Sequence, residues 1–296
     1  MFDFRLQVFH KVAKRLSFTK AAEELFITQP AVTKHIREIE QQYKVQLFDR
    51  SSNGIALTDA GNLLLQHTEK IFEIYRNIEF ELNGLKRQYK GKLRIGASTT
   101  MAQYILPPLL ANFQNKYKDV KISLFTENTR QIEKALAQKE IDLGIIEGRS
   151  KNKSFKYTQF IKDEIVLVAS ANHLKTKRSS LKIEELPKLP LLLREHGSGT
   201  LEVLSDALKK AGIKMSQLQV EMRMNSSESI KRYLCNSNCM AFLSIHSILK
   251  ELESRELSII DVKGLNIGRY FYMILPYGEA DGLSNLFMNF ALAYNF

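Results

Sequence analysis

From Gly91 onward, the hydrophobic pattern alternates between short apolar runs and longer segments whose apolar residues recur every three or four positions. The apolar runs predict β-strands, and the periodic segments between them predict α-helices. The predicted strands are KLRIGAS, VKISLFT, IDLGIIEG, EIVLVAS, LPLLL, LQVEMRM, MAFLS, LSIID and GRYFYMILPY. The predicted helices cover residues 99–117, 128–140, 200–211, 227–234, 244–251 and 283–294. This alternation predicts an α/β domain in which helices cover a mostly parallel sheet.

The length and composition are those of a soluble protein with more than one domain. A chain of 296 residues can form two or three compact units, each with its own core. Hydrophobic residues make up 44% of the chain and charged residues 25%, which excludes an intrinsically disordered protein. The N-terminus MFDFRLQVFHKVAKR carries charges where a signal peptide has an apolar core, and no apolar run is long enough to span a membrane. We expect a cytoplasmic protein with no membrane partner.

The net charge of +11 favours a polyanionic partner such as nucleic acid. Through Thr58 the chain has nine Lys+Arg and six Asp+Glu, a net charge of +3. The basic excess is therefore only slightly denser in this N-terminal part. Charge alone is weak support for the place where nucleic acid would bind.

The first 43 residues predict three helices. Asp3 can cap a helix that runs to about Arg15, and Ser17 begins the segment SFTKAAEELF, which predicts a second helix. Only Phe26, Ile27 and Thr28 separate the second helix from a third, a spacing typical of a helix-turn-helix. The apolar residues of the first two helices are Leu6, Phe9, Ala13, Phe18, Ala21, Ala22 and Leu25.

The third helix, ITQPAVTKHIREIE, has one apolar and one polar face. Thr28 is its predicted N-cap, and Pro30 lies in the first turn, where a missing N–H costs nothing. The residues predicted to face inward are Val32, Ile36 and Ile39. The opposite face carries Gln29, Pro30, Thr33, Lys34 and Arg37. These side chains suit contacts with base edges and phosphates.

A wing and a long helix follow. Asn53-Gly54 lies between two short apolar runs and predicts a two-residue hairpin turn. From residue 59 to about residue 90 there is no proline, and an apolar seam repeats every seven residues. The seam consists of Leu64, Ile71, Ile78 and Leu85, flanked by Ile74, Tyr75 and Leu82. It predicts a coiled-coil dimer, with packing on the chain's own later domain as the alternative.

These features together resemble the LysR-type transcriptional regulators. The segment SFTKAAEELFITQPAVTKHIREIEQQYKVQLFDRSSNGIALTDAG resembles their winged helix-turn-helix almost position for position. The resemblance implies a winged DNA-binding domain at residues 1–58, a dimerising linker helix at 59–90 and an effector domain at 91–296. That effector domain would have two lobes with the fold of periplasmic binding proteins. Lobe I would span about 91–161 and 266–296, and lobe II about 162–265.

The resemblance also implies DNA-binding residues. They are Thr28, Gln29, Pro30, Thr33, Lys34, Arg37, Arg50 and Asn53. Gln29 can present a bidentate amide to adenine, whereas Arg37 lies farther along the helix and suits a phosphate. Two positions depart from the family pattern: Lys44 replaces the usual glycine, and Asn53 replaces a common arginine. A lysine in the left-handed conformation costs roughly 1 kcal/mol, so a turn of different shape is expected at Lys44.

Polar clusters follow three predicted strands of the effector domain. In an open α/β sheet, ligands bind where the carboxyl ends of strands meet helix N-termini. The candidate effector-binding residues are Ser98, Thr99, Thr100, Met101, Glu147, Arg194, Ser198, Thr200 and Ser226. Hydroxyls and backbone N–H groups of this kind suit a small carboxylate, sulfite or similar oxyanion. The alternative is that these residues only cap helices, as Ser, Thr and Gly do in many proteins.

Three other functional classes are less well supported. An enzyme would need catalytic residues, but HGSGT lacks a G-x-S-x-G elbow and the six histidines have no metal-ligand spacing. A thiol redox sensor would use Cys235 and Cys239, although two inert thiols are the simpler interpretation. A constitutive architectural factor would leave more than two hundred residues after the linker without a purpose. We therefore expect no enzymatic activity, no metal and no cofactor other than an effector.

The partners expected from the resemblance are double-stranded promoter DNA, a second copy of the chain in a dimer or a dimer of dimers, and RNA polymerase. A small effector between the lobes would shift the placement of the DNA-binding heads and change DNA bending. The segments GASTT, IDLGIIEG and REHGSGT also resemble a branch that contains regulators of sulfur assimilation and carbon fixation.

Overall fold

The computed structural model describes residues 3–51, 54–85, 89–148, 152–173, 180–277 and 282–295. The chain forms two compact units, residues 1–82 and 83–296. None of the helices in these described ranges is long and apolar enough to cross a membrane. Each unit has its own core and is described separately.

The first unit contains the three predicted helices, the hairpin and most of the long helix. Its elements are α1 (Phe4–Arg15), α2 (Phe18–Leu25), α3 (Gln29–Tyr43), β1 (Phe48–Ser51), β2 (Gly54–Leu57) and α4 (Asp59–Leu85). β1 and β2 pair in antiparallel register, with Phe48 opposite Leu57. The first three helices enclose a core of Val8, Phe9, Val12, Phe18, Ala21, Val32 and Ile36, which Leu47 and Phe48 complete.

Side chains cap the starts of the three helices, as the sequence predicts for Asp3 and Thr28. Asp3, Ser17 and Thr28 each accept a hydrogen bond from a backbone N–H in the first turn. The prediction of an altered turn at Lys44 is wrong, because Lys44 adopts the left-handed conformation with φ 54°. Its N–H and that of Val45 both donate to the Glu40 carbonyl, which ends the helix without a glycine.

Apolar side chains remain exposed along one face of α4. They are Leu63, Ile71, Ile74, Ile78 and Leu82. Leu64, which the heptad pattern assigned to the seam, instead packs partly buried against the core of the first unit. The exposed face therefore differs from the predicted seam at its N-terminal end, because the first turns of α4 also close the core beneath α1 and α3.

The second unit is an α/β domain. Its strands are β3 (Gly91–Ser98), β4 (Val120–Glu127), β5 (Leu143–Glu147), β6 (Phe155–Ser170), β7 (Leu181–Lys182), β8 (Leu191–Arg194), β9 (Val220–Met224), β10 (Met240–Ser244), β11 (Leu257–Ile260), β12 (Val262–Lys263) and β13 (Gly268–Pro276). Its helices are α5 (Leu106–Lys116), α6 (Thr129–Ala137), α7 (Gly199–Lys210), α8 (Ser227–Cys235), α9 (Leu249–Glu253) and α10 (Gly282–Leu292).

Within the described residues, nine strands form one sheet in the order β4-β3-β5-β13-β6-β10-β8-β9, with β11 also paired to β6. We name the part built on β3, β4 and β5 lobe I, and the part built on β8, β9 and β10 lobe II. β6 belongs to both lobes, since its first part pairs with β13 up to Glu164 and its second part pairs with β10 from Ile165.

The sheet is mixed rather than mostly parallel, which corrects the sequence-based expectation. β3 pairs in parallel with β4 and β5, and β8 pairs in parallel with β9 and β10. β6 and β13 are antiparallel to their neighbours. Each lobe thus has a parallel part, and the chain crosses between the lobes on the long antiparallel strands. The carboxyl ends of the parallel strands in both lobes meet at this crossing.

The predicted helix at 99–117 is interrupted. Met101–Ile105 form a turn of π-helix before α5 begins at Leu106. Two prolines, Pro107 and Pro108, lie in the first turn of α5, and proline supplies no N–H to the preceding turn. Similarly, the predicted helix at 244–251 is a 3₁₀ turn at Ile245–Ser247 followed by α9.

Candidate functional site

The outward face of α3 carries the side chains predicted to contact nucleic acid. Its exposed residues are Thr28, Gln29, Pro30, Lys34 and Arg37. Thr33 is half-buried beside them. Behind this face, Val32 and Ile36 are completely buried. The packing therefore fixes the direction in which the polar face points.

Hydrogen bonds order the first turn of α3. The Thr28 hydroxyl accepts from the Ala31 N–H at 3.4 Å. The Gln29 amide Nε2 donates to Thr33 Oγ1 at 3.2 Å, while the Thr33 hydroxyl donates to the Gln29 carbonyl at 3.2 Å. The Gln29 amide is thus held at an exposed helix start, where it can present a donor and an acceptor to a base edge.

Glu40 is a positioning residue that the sequence interpretation missed. It is buried on α3, and its Oε1 accepts from the Leu47 N–H at 2.9 Å. This bond joins the end of α3 to the chain that leads into the hairpin. The sequence could have identified Glu40, because it follows Ile36 by four residues and so lies on the same inward face of α3. Arg50 lies in β1 opposite Ile55, whereas Asn53 lies outside the described residues.

In the second unit, Arg194 brings together two of the predicted polar clusters. It ends β8 and is buried. Its Nη2 donates to Thr99 Oγ1 at 2.8 Å and to the Asn225 carbonyl at 3.3 Å, and its Nη1 donates to Ser227 Oγ at 3.3 Å. Nε forms an ion pair with Glu195 at 2.9 Å. The guanidinium therefore connects the end of β3 in lobe I with the start of α8 in lobe II.

Glu147 connects lobe I with the third predicted cluster, which contains Ser198 and Thr200 at the start of α7. It ends β5 and is buried, and its backbone carbonyl accepts from Thr129 Oγ1 at 2.7 Å. The Thr200 hydroxyl donates to Glu147 Oε1 at 3.5 Å. Gly199 lies so close that a Cβ there would be 2.1 Å from the Glu147 carbonyl oxygen. The start of α7 thus packs directly against the end of β5.

Arg269 and Asp163 complete this buried group, although the sequence interpretation did not select them. Arg269 Nε donates to Asp163 Oδ2 at 2.6 Å, and Arg269 Nη1 donates to Thr200 Oγ1 at 3.0 Å. Ser244 Oγ donates to Asp163 Oδ1 at 2.7 Å. Both charged residues lie where β6 and β13 cross between the lobes. The sequence could have identified Arg269, because it is the single charged residue in the otherwise apolar strand GRYFYMILPY.

The predicted serines differ in what they contact. Ser226 caps α8, since its Oγ accepts from the Ser229 N–H at 3.2 Å. Ser98 Oγ accepts from the Met101 N–H at 3.5 Å. Ser198 precedes α7 and is buried, but its hydroxyl forms no cap. The alternative that these residues only cap helices therefore fits Ser98 and Ser226, but it does not fit Ser198.

Thr100 and Met101 are buried behind the end of β3. Tyr104, in the turn that follows them, contacts lobe II: its hydroxyl donates to Glu228 Oε1 at 2.6 Å. Desolvation raises the pKa of Tyr104, so this hydroxyl remains a donor. Desolvation opposes ionisation of Glu228, but hydrogen bonds from Lys231 and Tyr104 outweigh it and lower the Glu228 pKa. Lys231 also forms an ion pair with Glu251 at 2.7 Å, which holds α8 to α9 within lobe II.

A groove of about 440 Å³ begins at Ser198 and runs between α6 and α7. It is lined by Thr129, Arg130, Glu133, His196, Gly197, Ser198, Leu201, Glu202, Ser205, Met215 and Arg223. At its edge the Arg130 N–H donates to the Gly197 carbonyl at 3.2 Å. Gly197 has φ +91°, a conformation that side chains rarely adopt. The groove places cations and carboxyl groups from both lobes beside the buried group around Thr200.

The two cysteines differ in their exposure to solvent. Cys235 ends α8 and is exposed, whereas Cys239 is buried. Desolvation raises the pKa of Cys235, which disfavours the reactive thiolate that a redox sensor needs. Among the residues that the structure describes, no group of three His, Cys, Asp or Glu side chains is placed to hold a metal ion.

Comparisons with known proteins cover both units. A family model described as "Bacterial regulatory helix-turn-helix protein, lysR family" matches residues 4–62, and one described as "LysR substrate binding domain" matches residues 86–295. The HTH-type transcriptional regulator CysL of Bacillus subtilis is 30% identical over 264 residues, which are 89% of this chain and 87% of CysL. The probable RuBisCO transcriptional regulator of Cyanidium caldarium is 33% identical over 278 residues, 93% of this chain and 88% of that protein.

A solved structure shares the fold of the second unit. The regulatory domain of CcmR from Synechocystis, in complex with 2-PG, has a TM-score of 0.63 and 26% identity to this chain. The match covers 69% of this chain and 97% of the CcmR domain.

The family matches agree with the structure, since one covers the helix-turn-helix and the other covers the two-lobed α/β unit. Relatives that cover most of the chain are named as regulators of transcription, so this protein is a regulator and not an enzyme. The chain belongs to the LysR family of DNA-binding transcriptional regulators.

Proposed function

We propose that the regulator reads promoter DNA through α3 and that a small anionic effector, bound between lobes I and II, controls it. The effector site consists of the residues at the strand ends where the lobes meet. They are Ser98, Thr99, Thr100, Met101, Glu147, Arg194, Ser198, Thr200 and Ser226, to which we add Arg269.

The observation that carries the proposal is the position of Arg194. This buried guanidinium joins hydroxyls and a carbonyl from both lobes at the carboxyl ends of parallel strands. An anion bound there would accept hydrogen bonds from Arg194 in place of these contacts, and this would change how tightly the two lobes are held together. The complex of the CcmR regulatory domain with 2-PG supports a small-molecule effector for a domain of this fold.

The DNA-binding assignments rest on the exposed polar face of α3. Gln29 and Thr33 would contact bases, and Lys34 and Arg37 would contact bases or phosphates. Thr28 and Pro30 set the start of the helix, while Arg50 and Asn53 would belong to the wing. We also propose that the protein acts in the cytoplasm.

The exposed apolar face of α4 supports a homodimer, and two such dimers would form a tetramer on DNA. Effector binding would then change the spacing of the DNA-binding heads, the bend of the DNA and the contact with RNA polymerase. No cofactor other than the effector is proposed.

Titration calorimetry of the full chain with sulfate, sulfite, phosphate and acetate tests the effector site. We expect Thr100→Val to weaken binding of the best anion about tenfold, because it removes one buried hydroxyl from the site. Thr126→Val, on the exposed edge strand β4, is the matched control and should bind like the wild type. Equal binding by Thr100→Val and the wild type would contradict the assignment.

A further inference from the structure

We infer that Glu147 and Arg269 select an effector that carries a protonated amine beside an anionic group, as amino acids do. The inference rests on the proposed effector site and concerns the class of molecule that the site accepts.

Three buried polar atoms carry the inference. They are Glu147 Oε2, Arg269 Nη2 and Ser198 Oγ, and none has a hydrogen-bond partner within the described part of the chain. The side chains of Glu147 and Arg269 are each only 2% exposed. Folded proteins leave few buried polar atoms unpaired, and a cluster of them calls for an explanation such as a ligand.

The atoms lie close enough for one small molecule to reach them. Arg269 Nη1 is 3.0 Å from Thr200 Oγ1 and 3.7 Å from Glu147 Oε1. The unpaired Nη2 and Oε2 are the second termini of this same guanidinium and this same carboxyl group. Ser198 lies two residues before Thr200, at the N-terminus of α7, where an anion is favoured.

The charges define which end of the ligand binds where. Arg269 is hydrogen-bonded to Asp163 at 2.6 Å, whereas its ion pair with Glu147 is longer, with 3.7 Å between Nη1 and Oε1, and includes no hydrogen bond. The group thus contains two carboxyl groups and one guanidinium. A ligand amine at Glu147 Oε2 would supply the missing positive charge, and a ligand oxyanion would accept from Arg269 Nη2 and Ser198 Oγ.

An oxyanion without an O–H or N–H group, such as sulfate or acetate, satisfies only part of this arrangement, because it has no donor for Glu147. A hydroxy acid supplies the donor but leaves Glu147 with only the cation of Arg269, which Asp163 shares. An amino acid supplies both, and its side chain can extend into the groove that begins at Ser198. The predicted order of affinity is therefore amino acid, hydroxy acid and unsubstituted acid.

Titration calorimetry with matched ligand series tests this order on the full chain. One series is L-aspartate, L-malate and succinate, and another is L-alanine, L-lactate and propionate, with the other common L-amino acids screened in parallel. Within the series that binds, we expect the amine to bind at least tenfold more tightly than the unsubstituted acid. Glu147→Gln should remove this preference, because it removes the negative charge and replaces one of the two carboxylate oxygens with an NH₂ donor of similar shape.

Controls separate ligand selection from folding. Glu253→Gln makes the same change at the exposed end of α9, outside the groove, and should keep the preference for the amine. The melting temperature of ligand-free Glu147→Gln shows whether the variant folds, and Glu147→Asp, which keeps the carboxyl group, should retain part of the preference.

The outcomes distinguish the two proposals. If oxyanions bind but no amine is preferred, or if Glu147→Gln keeps the preference, buried water satisfies these atoms and the inference is wrong while the effector site stands. If neither oxyanions nor amino acids bind, both the effector site and this inference are wrong.

Discussion

Thr33 shows how single side chains order the DNA-binding face. It donates to the Gln29 carbonyl and accepts from the Gln29 amide, so the two residues are held as a unit. Because both residues lie opposite the buried Val32 and Ile36, the core of the first unit sets their direction. Base recognition at this helix therefore depends on packing behind it as well as on the polar residues themselves.

Gln29 and Arg37 should differ in what they contribute to DNA binding. Gln29→Ala should cost about 1–3 kcal/mol on the preferred sequence and relax selection at one base pair. Arg37→Ala should weaken binding to all sequences and reduce the salt dependence, as expected for a phosphate contact. Anisotropy titrations on a duplex obtained by in vitro selection, and on a scrambled duplex, measure both effects. If Gln29→Ala lowered the affinity for both duplexes equally, the assignment of Gln29 to base recognition would be wrong.

Lys44 holds a strained conformation that glycine would relieve. Lys44→Gly should raise the free energy of unfolding by up to about 1 kcal/mol, because glycine adopts the left-handed region without the Cβ clash. Lys20→Gly, at an exposed position in α2, should instead lower it by up to about 1 kcal/mol. Urea unfolding of both variants provides the measurement, and a loss of stability in Lys44→Gly would contradict the explanation.

At the scale of the element, α4 has two different faces. Leu64 packs on the core of the first unit, whereas Ile71, Ile74, Ile78 and Leu82 are exposed. With Leu63, the exposed residues fall within about 100° of arc at the α-helical period. A stripe of this width is typical of a helix that buries one face against a partner.

Charges on this face should weaken the dimer. The double variant Ile74→Asp/Ile78→Asp should raise the dimer dissociation constant at least a hundredfold, because the carboxylates would be buried at the interface. Asn62→Asp, which lies in the first turn of α4 and away from the stripe, should leave association unchanged. Analytical ultracentrifugation over a range of concentrations distinguishes these results. A fully dimeric double variant would exclude this face as the interface.

At the scale of the whole molecule, polar contacts join the two lobes of the second unit. Arg194 bonds Thr99, Tyr104 bonds Glu228, and Arg269 bonds Thr200. These contacts lie around the two strands that cross between the lobes. In the proposed mechanism, an effector would replace these contacts with its own and so change the relative placement of the lobes.

Loss of Arg194 should loosen this junction. Arg194→Met keeps much of the side-chain volume but removes the charged hydrogen bonds, and should lower the free energy of unfolding by roughly 3 kcal/mol. Tyr104→Phe removes one hydroxyl and should cost only about 1 kcal/mol. Hydrogen exchange should become faster at the end of β3 and the start of α8 in Arg194→Met. Unchanged exchange there would show that Arg194 does not hold the lobes together.

Local patterns in the sequence predicted much of the architecture. Short-range spacing and side-chain chemistry predicted the helix caps at Asp3 and Thr28 and the inward positions of Val32 and Ile36. They also predicted most strands of the second unit. Residue type and helical period act over a few positions, so they can be read without knowledge of the fold.

Only the tertiary structure decided which distant residues meet. The antiparallel course of β6 and β13, the ion pair between Asp163 and Arg269, and the contact of Glu147 with Thr200 join segments far apart in the chain. The sequence marked Glu147, Arg194 and Thr200 as polar residues at strand ends, but the pairing of the strands determined their partners. Whether a buried polar group is satisfied depends on what the fold brings beside it, and for Glu147, Ser198 and Arg269 that was visible only in three dimensions.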